Sequence, residues 1–75
     1  MSRAIIAIVQ HNGEYLYSYS APGCRGESRF RAGNDAGAAA AKAMEIAIRH
    51  GRHGYVIFAP ADVMSQIPSD MREKS

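Results

Sequence analysis

Seventy-five residues, 47% of them hydrophobic, with a formal charge of +2, fit one small α+β domain near the lower size limit for a core without staples. Nine basic residues against seven acidic ones exclude a DNA-mimicking acidic surface and give little argument for nucleic-acid binding. A single cysteine, Cys24, leaves no internal disulfide to form and suits a reducing compartment. The apolar run 4–9 is too short for a secretory signal, and nothing approaches the ~20 apolar residues of a membrane span.

The first predicted element is a strand over Arg3–Gln10. Ile6 and Ile8 share one face and Ile5, Ala7 and Val9 the other, so it reads as a strand covered on both sides. His11-Asn12-Gly13 follows, and Asn-Gly between strand-like runs predicts a tight hairpin because both residues accept positive φ. In the second strand, Glu14–Ser20, Tyr15, Tyr17 and Tyr19 alternate with Leu16 and Ser18. The favoured reading turns the tyrosines toward the core. The alternative is an exposed aromatic stripe for a partner or for base stacking. Ala21–Ser28 reads as a loop holding Cys24 and Arg25, ahead of a short strand over Ser28–Ala32 that places Arg29 and Arg31 on one face.

The strongest element is a helix between Asn34 and Gly51. Asn34 or Asp35 supplies its N-cap, alanines fill its body, and Gly51 is expected to end it in a left-handed conformation. Helical spacing places Ala36, Ala40, Ala43, Met44, Ala47 and Ile48 on the buried side, with Lys42, Glu45 and Arg49 opposite and Ile46 at the exposed edge. After the basic turn 49–54, Tyr55–Ala59 reads as a central strand bounded by Gly54 and Pro60. Val63, Met64, Ile67 and Met71 mark one or two short helical turns, the last opened by Pro68. The predicted order is β-β-β-α-β-α, an antiparallel sheet with the long helix across one face.

No nucleophile sits beside a base in a recognisable arrangement, so no catalytic residue is assigned. His50 and His53 have a plausible metal-ligand spacing, but His11 and Cys24 are lone residues elsewhere, so neither metal nor cofactor is expected. The candidate partner-binding residues are Arg29, Arg31, Lys42, Glu45, Ile46, Arg49 and Arg52. Arginine's planar fork suits carboxylates and phosphates, and an exposed β-branched side chain hints at an interface.

One string carries more. Arg31-Ala32-Gly33, Asp35 and Gly37 through Met44 (GAAAAKAM) continue through Ala47, Gly51, Tyr55-Val56-Ile57, Val63, Ile67-Pro68 and Arg72. This resembles the signature of a small phage-encoded anti-CRISPR family, the fifth described among inhibitors of the type I-F system. It spans about 45 residues in one register, which alanine-rich composition alone does not produce. The resemblance implies a non-enzymatic binding protein acting in the cytoplasm of a bacterial host cell. It implies attachment to the guide-RNA surveillance complex at the large Cas8-type subunit, with recruitment of the Cas3-type nuclease-helicase blocked. It implies no membrane or small-molecule substrate, and direct nucleic-acid contact is compatible but not required. Two other readings stay open: a small nucleic-acid-binding module using the tyrosine stripe and arginines, or a homo-oligomeric phage structural or assembly protein.

Overall fold

In a computed structural model, which describes residues 3–75 apart from the Cys24 side chain, the chain opens with β1 (Ala4–His11) and β2 (Glu14–Ala21). Asn12 and Gly13 turn between them with φ of 51° and 80°, the geometry that suits the twist of a two-residue hairpin. The strand that follows is longer than the sequence pattern suggested. Pro22-Gly23 forms a second tight turn, with Gly23 at φ 74°, and β3 runs from Cys24 to Gly33. The expected loop is therefore strand. Its alternation is hidden because β3 carries an extra residue at three places against β2, with Gly26 (φ 79°) and Arg29 (φ 62°) in left-handed conformations at two of these bulges.

Helix α1 spans Ala36–His50. Asp35 caps it, its Oδ1 accepting the Ala38 N–H at 2.8 Å, and such a cap stabilises a helix by about 1 kcal/mol. Ala39, Ala40, Ala43, Ile46 and Ala47 are buried, whereas Ile48 is 73% exposed. At 100° per residue the buried arc centres on Ala43, about 60° away from the expected one. Ile46 is thus core, not interface. The cause lies on β2: the row Lys42, Ile46, His50 runs along its tyrosines, with Lys42 above Tyr17 and His50 stacked on Tyr19. Gly51 also differs from expectation. Its φ is −105°, and glycine is required there by space, since a Cβ would lie 2.6 Å from the Ala47 carbonyl oxygen and 2.7 Å from the Tyr55 ring.

The chain then returns to β1. Strand β4 (Tyr55–Phe58) pairs with it in parallel, Ala4 beside Tyr55 and Ile6 beside Ile57. The sheet is therefore mixed, in the order β3-β2-β1-β4-β5, with the small α+β architecture otherwise as anticipated. A short helix α2 (Ala61–Met64) and a 3-10 turn (Ser69–Met71) after Pro68 lead to β5 (Glu73–Lys74), two residues antiparallel to β4 that the sequence pattern did not announce. The tail is tied down by three backbone-directed bonds: Ile57 N–H to the Arg72 carbonyl, Tyr55 Oη to the Met71 carbonyl, and Arg72 Nε to the Ile67 carbonyl. The core lies between the sheet and α1, built from Ala4, Ile6, Ile8, Tyr15, Ile57, Val63, Ile67 and the helix alanines. Among the described residues, no helix is long and apolar enough to cross a membrane.

Candidate partner-binding surfaces

The outward side of α1 gathers three of the expected residues. Glu45 Oε2 lies 3.4 Å from Lys42 Nζ and 3.8 Å from an Arg49 guanidinium nitrogen, at i,i+3 and i,i+4 spacing. Such exposed pairs add little stability, so their effect is to hold a charged ridge in place. Beside it lies a shallow groove lined by Ala41, Met44, Glu45, Ile48 and Arg49. Ile48, expected in the core, is the large apolar side chain of this surface. Arg52 sits exposed in the following turn, its carbonyl accepting from Lys74 Nζ at 3.3 Å.

Beneath α1 the tyrosines form an aromatic row. Phe30 and Tyr17 stack with centroids 6.0 Å apart, Tyr17 and Tyr19 at 6.3 Å, and Tyr19 and His50 at 4.7 Å. Lys42 Nζ stands 5.6 Å from the Tyr17 centroid, within reach of the ring's negative face. Tyr15 is buried and its hydroxyl donates to Asp62, while Tyr17 Oη donates to Glu27 at 2.9 Å. The stripe therefore faces α1. The Asp62 hydrogen bond and then burial hold the Tyr15 hydroxyl above the usual tyrosine pKa. Burial and then the Glu27 hydrogen bond do the same for Tyr17.

The two arginines of β3 part company with this ridge. Arg31 is registered with Leu16, on the side of the sheet away from α1, where its Nε donates to Glu14 at 2.7 Å. Arg29 sits at the bulge on the edge strand, its backbone N–H bonded to the Ser18 hydroxyl at 3.0 Å. Its guanidinium has no ion-pair partner among the described residues. Arginines and bulges on an outer strand also block edge-to-edge pairing, which accounts for both residues without a ligand. The expected set is thus divided: Lys42, Glu45 and Arg49 together, Arg31, Arg29 and Arg52 apart, and Ile46 inside.

One surface was missed. Among the described residues, none forms a layer over the side of the sheet opposite α1. Ile5 (48% exposed), Val9 (49%) and Phe58 (58%) lie there, with Ala7, Leu16 and Val56 half-buried between them. The signal was in the sequence: β1 is apolar on both faces, and only one face is covered.

Among the described residues no group of three His, Cys, Asp or Glu is placed to hold a metal ion. The Cys24 thiol, weighed above as a ligand, lies outside the described residues. No protein-family model and no curated protein matches the chain.

Proposed function

We propose that this chain is an anti-CRISPR inhibitor that binds a type I surveillance complex of the I-F kind, at its Cas8-type subunit, and prevents recruitment of the Cas3-type nuclease-helicase. The string from Arg31 to Arg72 carries the reading, because its members divide into two groups in the fold. Ala39, Ala40, Ala43, Ala47, Gly51, Tyr55, Ile57, Val63 and Ile67 are buried, and Asp35 caps the helix, so these positions specify the fold. Gly37, Ala38 and Ala41 are exposed on α1, and Lys42 and Met44 are half-exposed. Folding does not demand Gly37 or Ala41, and a close-fitting partner would, whereas Ala38 against Gly33, Lys42 over the Tyr17 ring and Met44 against the core also serve the fold.

The contact surface is the outer side of α1. Its small residues let a partner approach closely, Met44 and Ile48 supply apolar area, and Lys42, Arg49 and Arg52 meet acidic side chains at the rim. Catalysis has no part in it: inhibition works by occupying a site on the complex.

The test is a pull-down of purified type I-F surveillance complex, with and without target DNA, challenged with the nuclease-helicase. Retention of the protein and loss of nuclease binding are expected, with Ile48→Glu weakening retention by at least about 10-fold, as for an anchor at the centre of an interface. Absence of binding in both states would overturn the proposal.

A further inference from the structure

Arg25 differs from the other arginines on the open side of the sheet. Arg3 is joined to Glu73 and Arg31 to Glu14 within the chain. Arg25 is exposed, and its guanidinium has no ion-pair partner among the described residues.

The cause is a bulge. In a regular strand Arg25 and Glu27 would share a face and could pair. Gly26 separates them, because β3 shifts register against β2 between the Tyr19–Glu27 and Ala21–Cys24 pairs. Glu27 thereby reaches the α1 side, where its Oε1 accepts the Tyr17 hydroxyl at 2.9 Å. Glycine is required at the bulge, since φ is 79° and a Cβ would lie 2.6 Å from the Tyr19 carbonyl oxygen.

Arg25 instead lines a depression of about 400 Å³ on the open side, together with Ile5, Ala7, Ser18, Ser20 and Ser28. Ile5 stands across from Ser20 and Ala7 across from Ser18, so an apolar floor adjoins a row of hydroxyls. The Ser18 hydroxyl accepts the Arg29 N–H at 3.0 Å and keeps its own proton to donate. The one acid at the rim, Glu27, is turned to Tyr17.

We propose that this depression is a docking site for a segment of another protein that presents a carboxylate side chain next to an apolar one. The proposal is independent of the inhibitor reading, which uses the outer side of α1.

Charge and surroundings select this occupant. The planar fork of Arg25 matches a carboxylate through two parallel hydrogen bonds, and no carboxylate of the chain's own competes for it. Ile5 at the floor, with Val9 and Phe58 exposed farther along the same face, receives the apolar neighbour. A nucleic-acid strand asks for a row of cations along its backbone. This face answers with the single free cation Arg25, and it carries the carboxylates of Glu14 and Glu73 besides.

Selection of random displayed heptapeptides on the immobilised full chain tests this, with the recovered peptides then titrated in solution. The expected result is enrichment of aspartate or glutamate beside leucine, isoleucine or phenylalanine. Arg25→Gln should weaken binding of those peptides by about 10-fold or more while leaving the far-UV circular dichroism spectrum unchanged. Ser20→Glu, which sets a carboxylate of the chain's own in the depression, should weaken it as much, and Ser20→Gln should not. Ile48→Glu, on α1, should bind as wild type does. Recovery of no acidic-apolar motif overturns the proposal, and so does binding that is unchanged in Arg25→Gln. Binding lost in Ile48→Glu but kept in Arg25→Gln would place the contact on α1 and overturn it too. Displacement of the peptides by a mixed-sequence single-stranded oligonucleotide would do the same, as would self-association of the chain that closes this face to peptide.

Discussion

Two isoleucines separated by one residue on the same helix should respond oppositely to truncation. Ile46 is 5% exposed and Ile48 73%. Cutting Ile46 to alanine removes three buried carbons from a row wedged between Lys42 and His50 against the Tyr17–Tyr19 rings, and such changes cost about 2–5 kcal/mol once the residual cavity is counted. A domain of this size holds a margin of about 3–5 kcal/mol, so Ile46→Ala should remove most of it. Ile48→Ala gives up little burial and gains a few tenths of a kcal/mol in helix propensity, leaving stability within about 0.5 kcal/mol of wild type. Urea denaturation followed by far-UV circular dichroism reads the difference. With a slope near 1 kcal/mol per molar for so small a chain, the Ile46→Ala midpoint should fall by about 2 M or more while that of Ile48→Ala barely moves. Equal losses in the two variants, or a larger loss in Ile48→Ala, would mean that the helix is rolled the other way and that the reasoning about the buried arc is wrong.

Two further outcomes follow from the strand side of the core. Arg29 holds a left-handed conformation that costs a non-glycine residue about 1–2 kcal/mol, so Arg29→Gly should be neutral to about 1 kcal/mol stabilising by thermal melting, after glycine's greater unfolded-state entropy is set against the relief. A clear loss of stability would show that the Arg29 side chain is needed for folding. The hydroxyls of Tyr15 and Tyr17 are held above the ordinary pKa, so the protonated forms favour the folded state. Their contribution is complete below the unfolded tyrosine value of about 10 and is lost as the pH climbs beyond it toward the folded values. Melts repeated from neutral to strongly alkaline pH should show a steep fall above about pH 10, flattened in Tyr15→Phe; an unchanged slope in that variant would refute the assignment.

Much of the fold was legible because its signals are local. The cap at Asn34 or Asp35, the alanine run, Asn12-Gly13 and Pro68 opening the last turn each act within a few residues. The errors arose where a decision depended on a distant element. The helix phase could not be fixed from its alanines, which are small on every side, and Ile46 turns inward because Tyr17 and Tyr19 arrive from another strand. β3 escaped because three bulges shift its alternation, although Pro22-Gly23 is itself a turn signal. The parallel β1–β4 pair has no local signature. Of the candidate site, the Lys42–Glu45–Arg49 ridge was readable from spacing alone. Ile48 was not, because it depends on the helix phase. The open sheet face was half readable: the apolar pattern of Ile5, Ala7 and Val9 showed that something should cover it, and the fold shows that α1 does not.

The pairing of β1 with β4 also sets an order of events. Ala4 and Tyr55 stand side by side although 51 positions apart in the chain, whereas the two hairpins close over only a few residues. Hairpins form in microseconds, but β1 gains its second neighbour only when the loop through β2, β3 and α1 has closed, and loop entropy must be met before that contact gives any return. During synthesis the N-terminal strand therefore waits, one edge bare, until the residues that complete the sheet have left the ribosome. A chain stopped before Tyr55 would present that bare edge and the apolar face of β1 together, a template for aggregation. Such a chain would also lack four side chains of the core, Tyr55, Ile57, Val63 and Ile67, so the first three strands and α1 leave that core unfinished on their own.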